Sequence, residues 1–365
     1  VWRAYAIFVS MGMLSIVLVA PTASAQPTES IETLSTRLPW TLEAGTAVST
    51  GTYIYLLGGF RSGSYSDRIT RFDPTNGTFT DEMARLPFPL VGVAAIWTGT
   101  EILAFGGQTE SVNNAIATVR FNPHTGTIRN GTDMPTSRAY SPLVWTGRYA
   151  YIFGGTVGAG NARYDVLRYD PEAERMDIIT TARMPVYTKD ATATWDGKRA
   201  TLFGGGFIPP DGGFSMMTFD PSTERLSYVN GTGFHAVTSA TSAQVGSYAY
   251  VFGGIETNVG IVSRIQRFHT GSSEMVAQVP LNLSRPLALT TSAAIGDRVY
   301  IFGGWPGTFT DTDQIHVLRS VDSVSPLVWV GLAVVIVAAV AAAAVVLVRR
   351  RKRNRRMPQE PKAPT

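Results

Sequence analysis

The 365-residue chain contains no cysteine. That absence excludes disulfides, thiolate metal sites, cysteine nucleophiles and any cysteine-derived cofactor. Histidine is nearly as scarce: His124, His235, His269 and His316 are scattered without metal-ligand spacing, so no metal or other cofactor is expected. Charged residues make up only 16% of the chain against 44% apolar, a balance foreign to coiled coils, helical bundles and disordered segments. No P-loop, G-x-S-x-G, H-E-x-x-H or dinucleotide fingerprint is present. The formal charge of +4 owes its sign to one C-terminal run, Arg349 to Arg356; between Gln26 and Pro326 there are 22 Lys and Arg against 26 Asp and Glu. A nucleic-acid partner is therefore not expected.

Both ends of the chain carry targeting-type patterns. Residues 1–25 read as a secretory signal, with Arg3, an apolar stretch from Ala4 to Ala20 and the small-x-small site Ala23-Ser24-Ala25. Leu327 to Val348 is an uncharged run of 22 residues, long enough for one transmembrane helix. A basic tail, 349–365, follows at once, and the positive-inside rule keeps it cytoplasmic. The expected localisation is the cell membrane, single-pass type I, with residues 26–319 outside the cytoplasm and 320–326 as a juxtamembrane linker.

What the chain has in quantity is glycine, 36 residues, and it is periodic. Glycine pairs begin at Gly58, Gly106, Gly154, Gly204, Gly253 and Gly303, each closing an apolar run such as YLLGG or YIFGG. Seven residues earlier stands another glycine in every copy: Gly51, Gly99, Gly147, Gly197, Gly246 and Gly296. Glycine there suits a hairpin turn with positive φ, and the run between turn and pair suits a buried strand. An aromatic residue and turn chemistry come later in four copies, as in Phe72-Asp73-Pro74 and Tyr169-Asp170-Pro171. Each repeat thus reads as four strands, a to d, with the glycine pair ending strand b.

This pattern resembles the kelch family over residues 31 to 319. The resemblance implies an all-β fold, a six-bladed β-propeller with one repeat per blade, followed here by the C-terminal transmembrane helix. One departure is visible: where kelch repeats usually place Trp in strand d, this chain has Phe79, Ile128, Met176, Leu226 and Met275. The sixth repeat lacks its own strand d, and SIETLSTRLP near the N-terminus parallels TFTDEMARLP of the first repeat, so residues 29 to 36 are expected to supply it. Only Ser320 to Pro326 then separates the face of the a–b and c–d turns from the membrane helix, at most about 25 Å at ~3.5 Å per residue. The b–c and d–a loops should point away from the bilayer, as a binding surface would.

The residues expected to meet a partner there are Arg61, Tyr65, Arg163, Phe207 and Trp305 in the b–c loops, with Glu43, Arg138, Lys189, Asp190 and Arg285 in the d–a loops. Trp97, Trp145 and Trp195 share one register, nine residues before their glycine pairs; packing beside the a–b turn is the expected role and sugar stacking the alternative. The kelch copper oxidases need a Tyr cross-linked to Cys, which a cysteine-free chain cannot build. Exported kelch mutarotases acting on sialic acid are similar in repeat number and leader, which keeps a carbohydrate-acting enzyme as the second reading. Asp311-Thr312-Asp313 is a weak calcium pattern, and sequons stand at Asn76, Asn130, Asn230 and Asn282. No catalytic residue is assigned. The expected function is a membrane-anchored binding module whose outward loops take a protein or glycan partner.

Overall fold

The computed structural model describes residues 27–111, 115–158, 161–184, 190–205, 216–229, 233–270, 277–308 and 312–321. The expected leader, the uncharged run 327–348 and the basic tail lie outside them. Among the described residues every regular element is a strand, and no helix is long and apolar enough to cross a membrane.

In the first repeat the strands are a, Thr46–Ser49; b, Ile54–Leu57; c, Arg68–Asp73; and d, Thr78–Arg85, hydrogen-bonded in that order. Strand b is buried at every position because both of its faces meet neighbouring sheets, which is why it reads as an unbroken apolar run. Strand d is largely exposed, and so tolerates TFTDEMAR. Six four-stranded sheets of this kind are present among the described residues. Each strand a lies beside that of the next repeat, and Thr291–Ile295 of the sixth lies beside Thr46–Ser49 of the first. The order of sheets closes on itself, in keeping with a kelch-type propeller.

The N-terminal segment supplies the outer strand of the sixth sheet: Thr28–Thr33 pairs with Ile315–Val321. Regular pairing ends at Thr33, short of the expected residue 36, although the N–H groups of Leu34 and Leu38 still donate to the carbonyls of Ile315 and Asp313 (2.8 and 2.9 Å). Glu29 anchors this strand to the fifth sheet. Its carboxylate, 7% exposed, accepts from Tyr250 Oη at 2.6 Å and from Arg267 Nη1 at 2.8 Å. Similar ties join other neighbours, Arg120 to Glu174 and Arg168 to Glu224, each from a strand c to the next repeat.

Two backbone devices lock the sheets together. In five repeats the second glycine of the pair donates its N–H to a d–a carbonyl of the following repeat: Gly59 to Leu90, Gly107 to Arg138, Gly205 to Val237, Gly254 to Leu287 and Gly304 to Leu42, at 2.7–3.2 Å. The first glycine must lack a side chain for that approach; a Cβ on Gly303 would sit 2.1 Å from the Leu42 oxygen. The second device is a cycle. Gly92 donates to Ala44, Tyr140 to Gly92, Asp190 to Tyr140, Ser239 to Asp190, Leu289 to Ser239, and Ala44 back to Leu289, at 2.8–3.4 Å. All six of these residues have φ between 49° and 61°. This left-handed kink turns each N–H toward the preceding repeat, and five of the six hold it without being glycine, at a local cost of ~1–2 kcal/mol each.

Close approach and positive φ separate cleanly at two positions of the sixth repeat. Gly303→Ala should destabilise by several kcal/mol, because its Cβ meets backbone, whereas Gly296→Ala, at φ +59° in open space, should cost only about 1–2 kcal/mol. Denaturant melts of the two variants check this. A second expectation concerns His316, 1% exposed in strand c of the sixth repeat, with Nε2 2.8 Å from Ser284 Oγ and Nδ1 buried without a partner. Burial lowers its pKa to about 4 from 6.5. The unfolded chain then binds the proton first as pH falls, so stability should drop between pH 6.5 and 4 by about 3 kcal/mol. In a comparison of Tm against pH, His316→Leu should flatten that part of the wild-type profile.

Candidate functional site

The described b–c loops and d–a segments emerge at the ends of the strands opposite the a–b turns, on one face. They are not independent loops. Leu42–Glu43 pairs with Phe60–Arg61, Val237–Thr238 with Ile255–Glu256, and single bridges join Val91 to Gln108, Ala139 to Thr156 and Ala288 to Trp305. The d–a segment of each of these repeats therefore pins the start of its own b–c loop.

That pinning corrects two of the expected partner-contacting residues. Arg138 is 1% exposed; its guanidinium binds Asp165 (2.7 Å), the Gly154 carbonyl (3.1 Å) and Thr136 Oγ1 (2.8 Å). Arg61 is likewise buried. It donates to the carbonyls of Gly58, Leu56 and Arg68 and to Thr70 Oγ1 at 2.9–3.1 Å, beneath the Trp40 ring. Burial lowers the pKa of both, that of Arg61 to about 10. Carbonyls at the end of strand b have no ladder partner, and a buried arginine supplies several donors at once. Both side chains are committed to the scaffold, Arg61 at the floor of the first-repeat cleft.

The remaining expectations divide. Arg285 is exposed. Tyr65 is half-buried, edge-on to Phe60, and Trp305 is half-buried with Nε1 donating to the Thr308 carbonyl at 3.1 Å. Lys189 and Phe207 lie outside the described residues, as does Asp311; Asp313 is paired with Arg37 at 2.9 Å. Near the axis stands Tyr140, which sequence reasoning did not single out: burial, reinforced by the carboxylates of Asp190 and Glu43, pushes its hydroxyl well above the ordinary tyrosine range. Among the described residues no group of three His, Asp or Glu is placed to hold a metal.

Arg163 lines a cleft of about 480 Å³ in the third repeat. A bulge opens it: Val166 pairs with Ile179 but Asp165 pairs with Arg183, so strand d, Arg175–Arg183, carries extra residues and splays from strand c. Tyr164 (37% exposed) and Ile178 (48%) flank it, and the Arg183 guanidinium lies 5.7 Å from the Tyr164 ring centroid. Neither Arg163 nor Arg183 forms an ion pair with another described residue, since Asp165 is taken by Arg138. The matching cleft of the first repeat, about 310 Å³ around Tyr65, is internally neutralised: Arg85 pairs with Asp67 and Arg68 with Asp81. Tyr164 and Arg183 were missed because only the bulge makes them neighbours.

A chain of repeated four-stranded antiparallel sheets, tied edge to edge through glycine pairs, belongs to the class of all-β repeat proteins. Residues 45–83 match the model of the kelch motif. A kelch domain-containing protein of Pyrococcus furiosus is 39% identical over 88 residues, covering 24% of this chain and 26% of that protein. The match thus spans about a quarter of the relative's own length. The first repeat thus matches the kelch motif, and the other five share its glycine spacing.

The contrast between internal and exposed arginines is directly measurable. Arg138→Ala leaves Asp165 without its ionic partner and takes one of two donors from the Gly154 carbonyl, and should destabilise by about 3 kcal/mol, whereas Arg285→Ala should stay within ~0.5 kcal/mol in equilibrium unfolding.

Proposed function

We propose that the chain is a six-bladed kelch propeller acting as a protein-binding module, carried outside the cytoplasm on the single span Leu327 to Val348. The anchoring rests on the uncharged run and the basic residues after it. The observation that carries the binding role is the third-repeat cleft, where a half-exposed tyrosine and an exposed isoleucine flank two arginines without an ionic partner among the described residues. Tyr and Arg anchors are the side chains that most often dominate binding energies, and a concave, bulge-opened site gives them the desolvation they need. The charge favours a partner segment bearing Asp, Glu or a chain-terminal carboxylate, which Arg recognises in bidentate fashion.

Capture from surface extracts of the source cells, read by quantitative mass spectrometry, tests this reading. Tyr164→Ala combined with Arg183→Ala should reduce the wild-type partner about tenfold or more, since each anchor of this kind carries above ~1 kcal/mol, with no change in melting behaviour. Arg148→Ala and Lys198→Ala, in the a–b turns, should capture it as wild type does. Partner loss from the a–b variants alone would overturn the assignment of the face.

A further inference from the structure

Arg183 of the third-repeat cleft has counterparts elsewhere in the ring, and they show what it lacks. One backbone hydrogen bond joins the end of strand d to the residue just before strand c: the N–H of Leu38 donates to Asp313 in the sixth repeat (2.9 Å), Leu86 to Asp67 in the first (2.6 Å) and Met184 to Tyr164 in the third (2.6 Å). That bond sets the residue preceding each donor beside the residue carrying the acceptor. In the sixth and first repeats those two side chains form an ion pair, Arg37 with Asp313 at 2.9 Å and Arg85 with Asp67 at 3.0 Å. In the third repeat the arginine is retained as Arg183, and Tyr164 stands where the carboxylate would be. The second and fifth repeats make the same bond but have Asp133 and Asn282 in place of the arginine. Among these five repeats the third alone keeps the cation without its anion.

Arg183 is exposed, so an incoming group can reach it. Arg163, partly exposed, lines the same cleft, and the carboxylate of that lining, Asp165, is held by the buried Arg138. The surroundings also differ from those of the first repeat. There the cleft is lined by Ser62, Ser64 and Ser66 beside charged groups, whereas here Ala162, Ile178, Ile179 and Ala182 give an apolar lining next to the Tyr164 ring. An unpaired arginine bordering an exposed isoleucine calls for an occupant that carries a carboxylate and an apolar group close together. In a polypeptide both stand on one Cα only at the C-terminal residue. An internal Asp or Glu spends its own side chain on the arginine and leaves the apolar contact to neighbours that point elsewhere.

We propose that the third-repeat cleft receives the free C-terminus of a partner polypeptide whose last residue is apolar. The terminal carboxylate takes at Arg183 the place that Asp67 takes at Arg85 and Asp313 at Arg37, with Arg163 adding positive charge. The last side chain packs against Ile178 and Tyr164. A cleft of about 480 Å³ is the size of a small-molecule site and suits a chain end better than a folded surface. This inference rests on the protein-binding reading of the same cleft and narrows it to a chain terminus.

The test is titration of the full chain with acetylated peptides Ac-Gly-Ser-Gly-X, X being Leu, Ile, Val or Phe, each as free acid and as C-terminal amide. Saturation-transfer NMR of the peptide is the readout. At least one free acid should bind saturably in the millimolar range or below, and its amide about tenfold more weakly. Arg183→Gln should weaken the acid about tenfold while leaving the amide unchanged, and Ile178→Ser should weaken the acid several-fold. Tyr164→Asp rebuilds the first-repeat ion pair within the chain and should abolish binding of the acid without lowering Tm, whereas Tyr164→Asn, of the same size without the charge, should retain part of it. Arg148→Ala, in an a–b turn, should bind as wild type does. No saturable binding by any free acid, equal binding of acid and amide, or equal binding by Tyr164→Asp and Tyr164→Asn would overturn the proposal. So would binding of 4-methylpentanoate, or of Ac-Gly-Asp-Gly-Ser amide, as tight as that of the best acid. A captured partner that is lost from the Tyr164→Ala, Arg183→Ala variant yet not displaced by the best free acid would remove the chain-end inference and leave the protein-binding reading standing.

Discussion

The fold depends on one backbone contact, seen five times among the described residues: a d–a carbonyl resting on the glycine pair of the repeat before it. A carbonyl that approaches to within 2.5 Å of a virtual Cβ leaves room for nothing but hydrogen at that carbon, as at Gly58, Gly106, Gly253 and Gly303. The same oxygen accepts the N–H of the next glycine. Because this contact joins strand b of one sheet to the connection leading into the next, it sets where every sheet sits relative to its neighbour. The cycle through Ala44, Gly92, Tyr140, Asp190, Ser239 and Leu289 follows from it two residues later.

Charge placement is read most safely against this scaffold. Arginines of strand c reach carboxylates of the next repeat, and Arg267 reaches Glu29 on the strand that completes the sixth sheet. Arg61 and Arg138 are turned inward because the end of strand b, distorted to present its glycines, leaves carbonyls that backbone donors do not reach. Arg163 and Arg183 are what remains after those demands are met. The bulge of strand c against strand d in the third repeat gives them an apolar setting. Binding capacity here is a residue of structural economy: the side chains free for a partner are those the ring does not use.

The two ends of the strands differ in chemistry as a result. On the b–c and d–a side, half-exposed aromatic rings and arginines meet at clefts between strands. On the axis toward the a–b turns, a cavity of about 330 Å³ is lined by uncharged residues and is indole-rich on one half.

The repeat number of the glycine motif, the four-strand unit and the N-terminal origin of the last strand were legible in the sequence. Each depends on local spacing or on a backbone conformation that glycine alone takes cheaply, and such requirements recur at fixed intervals. The roles of individual loop residues were not. Arg61 and Arg285 look alike as arginines between strands, yet one is buried beneath Trp40 and the other faces solvent. Trp97, Trp145 and Trp195 were visible as a register, but only closure of the six a strands around an axis turns that register into the wall of a cavity. Tyr164 and Arg183 lie nineteen residues apart and meet because a bulge shifts one strand against another. What the sequence by itself determined was the repeating backbone, since its constraints are local. Tertiary structure alone decided which side chains satisfy that backbone and which are left for a ligand, since burial and hydrogen-bond demand are set by groups brought together from distant repeats.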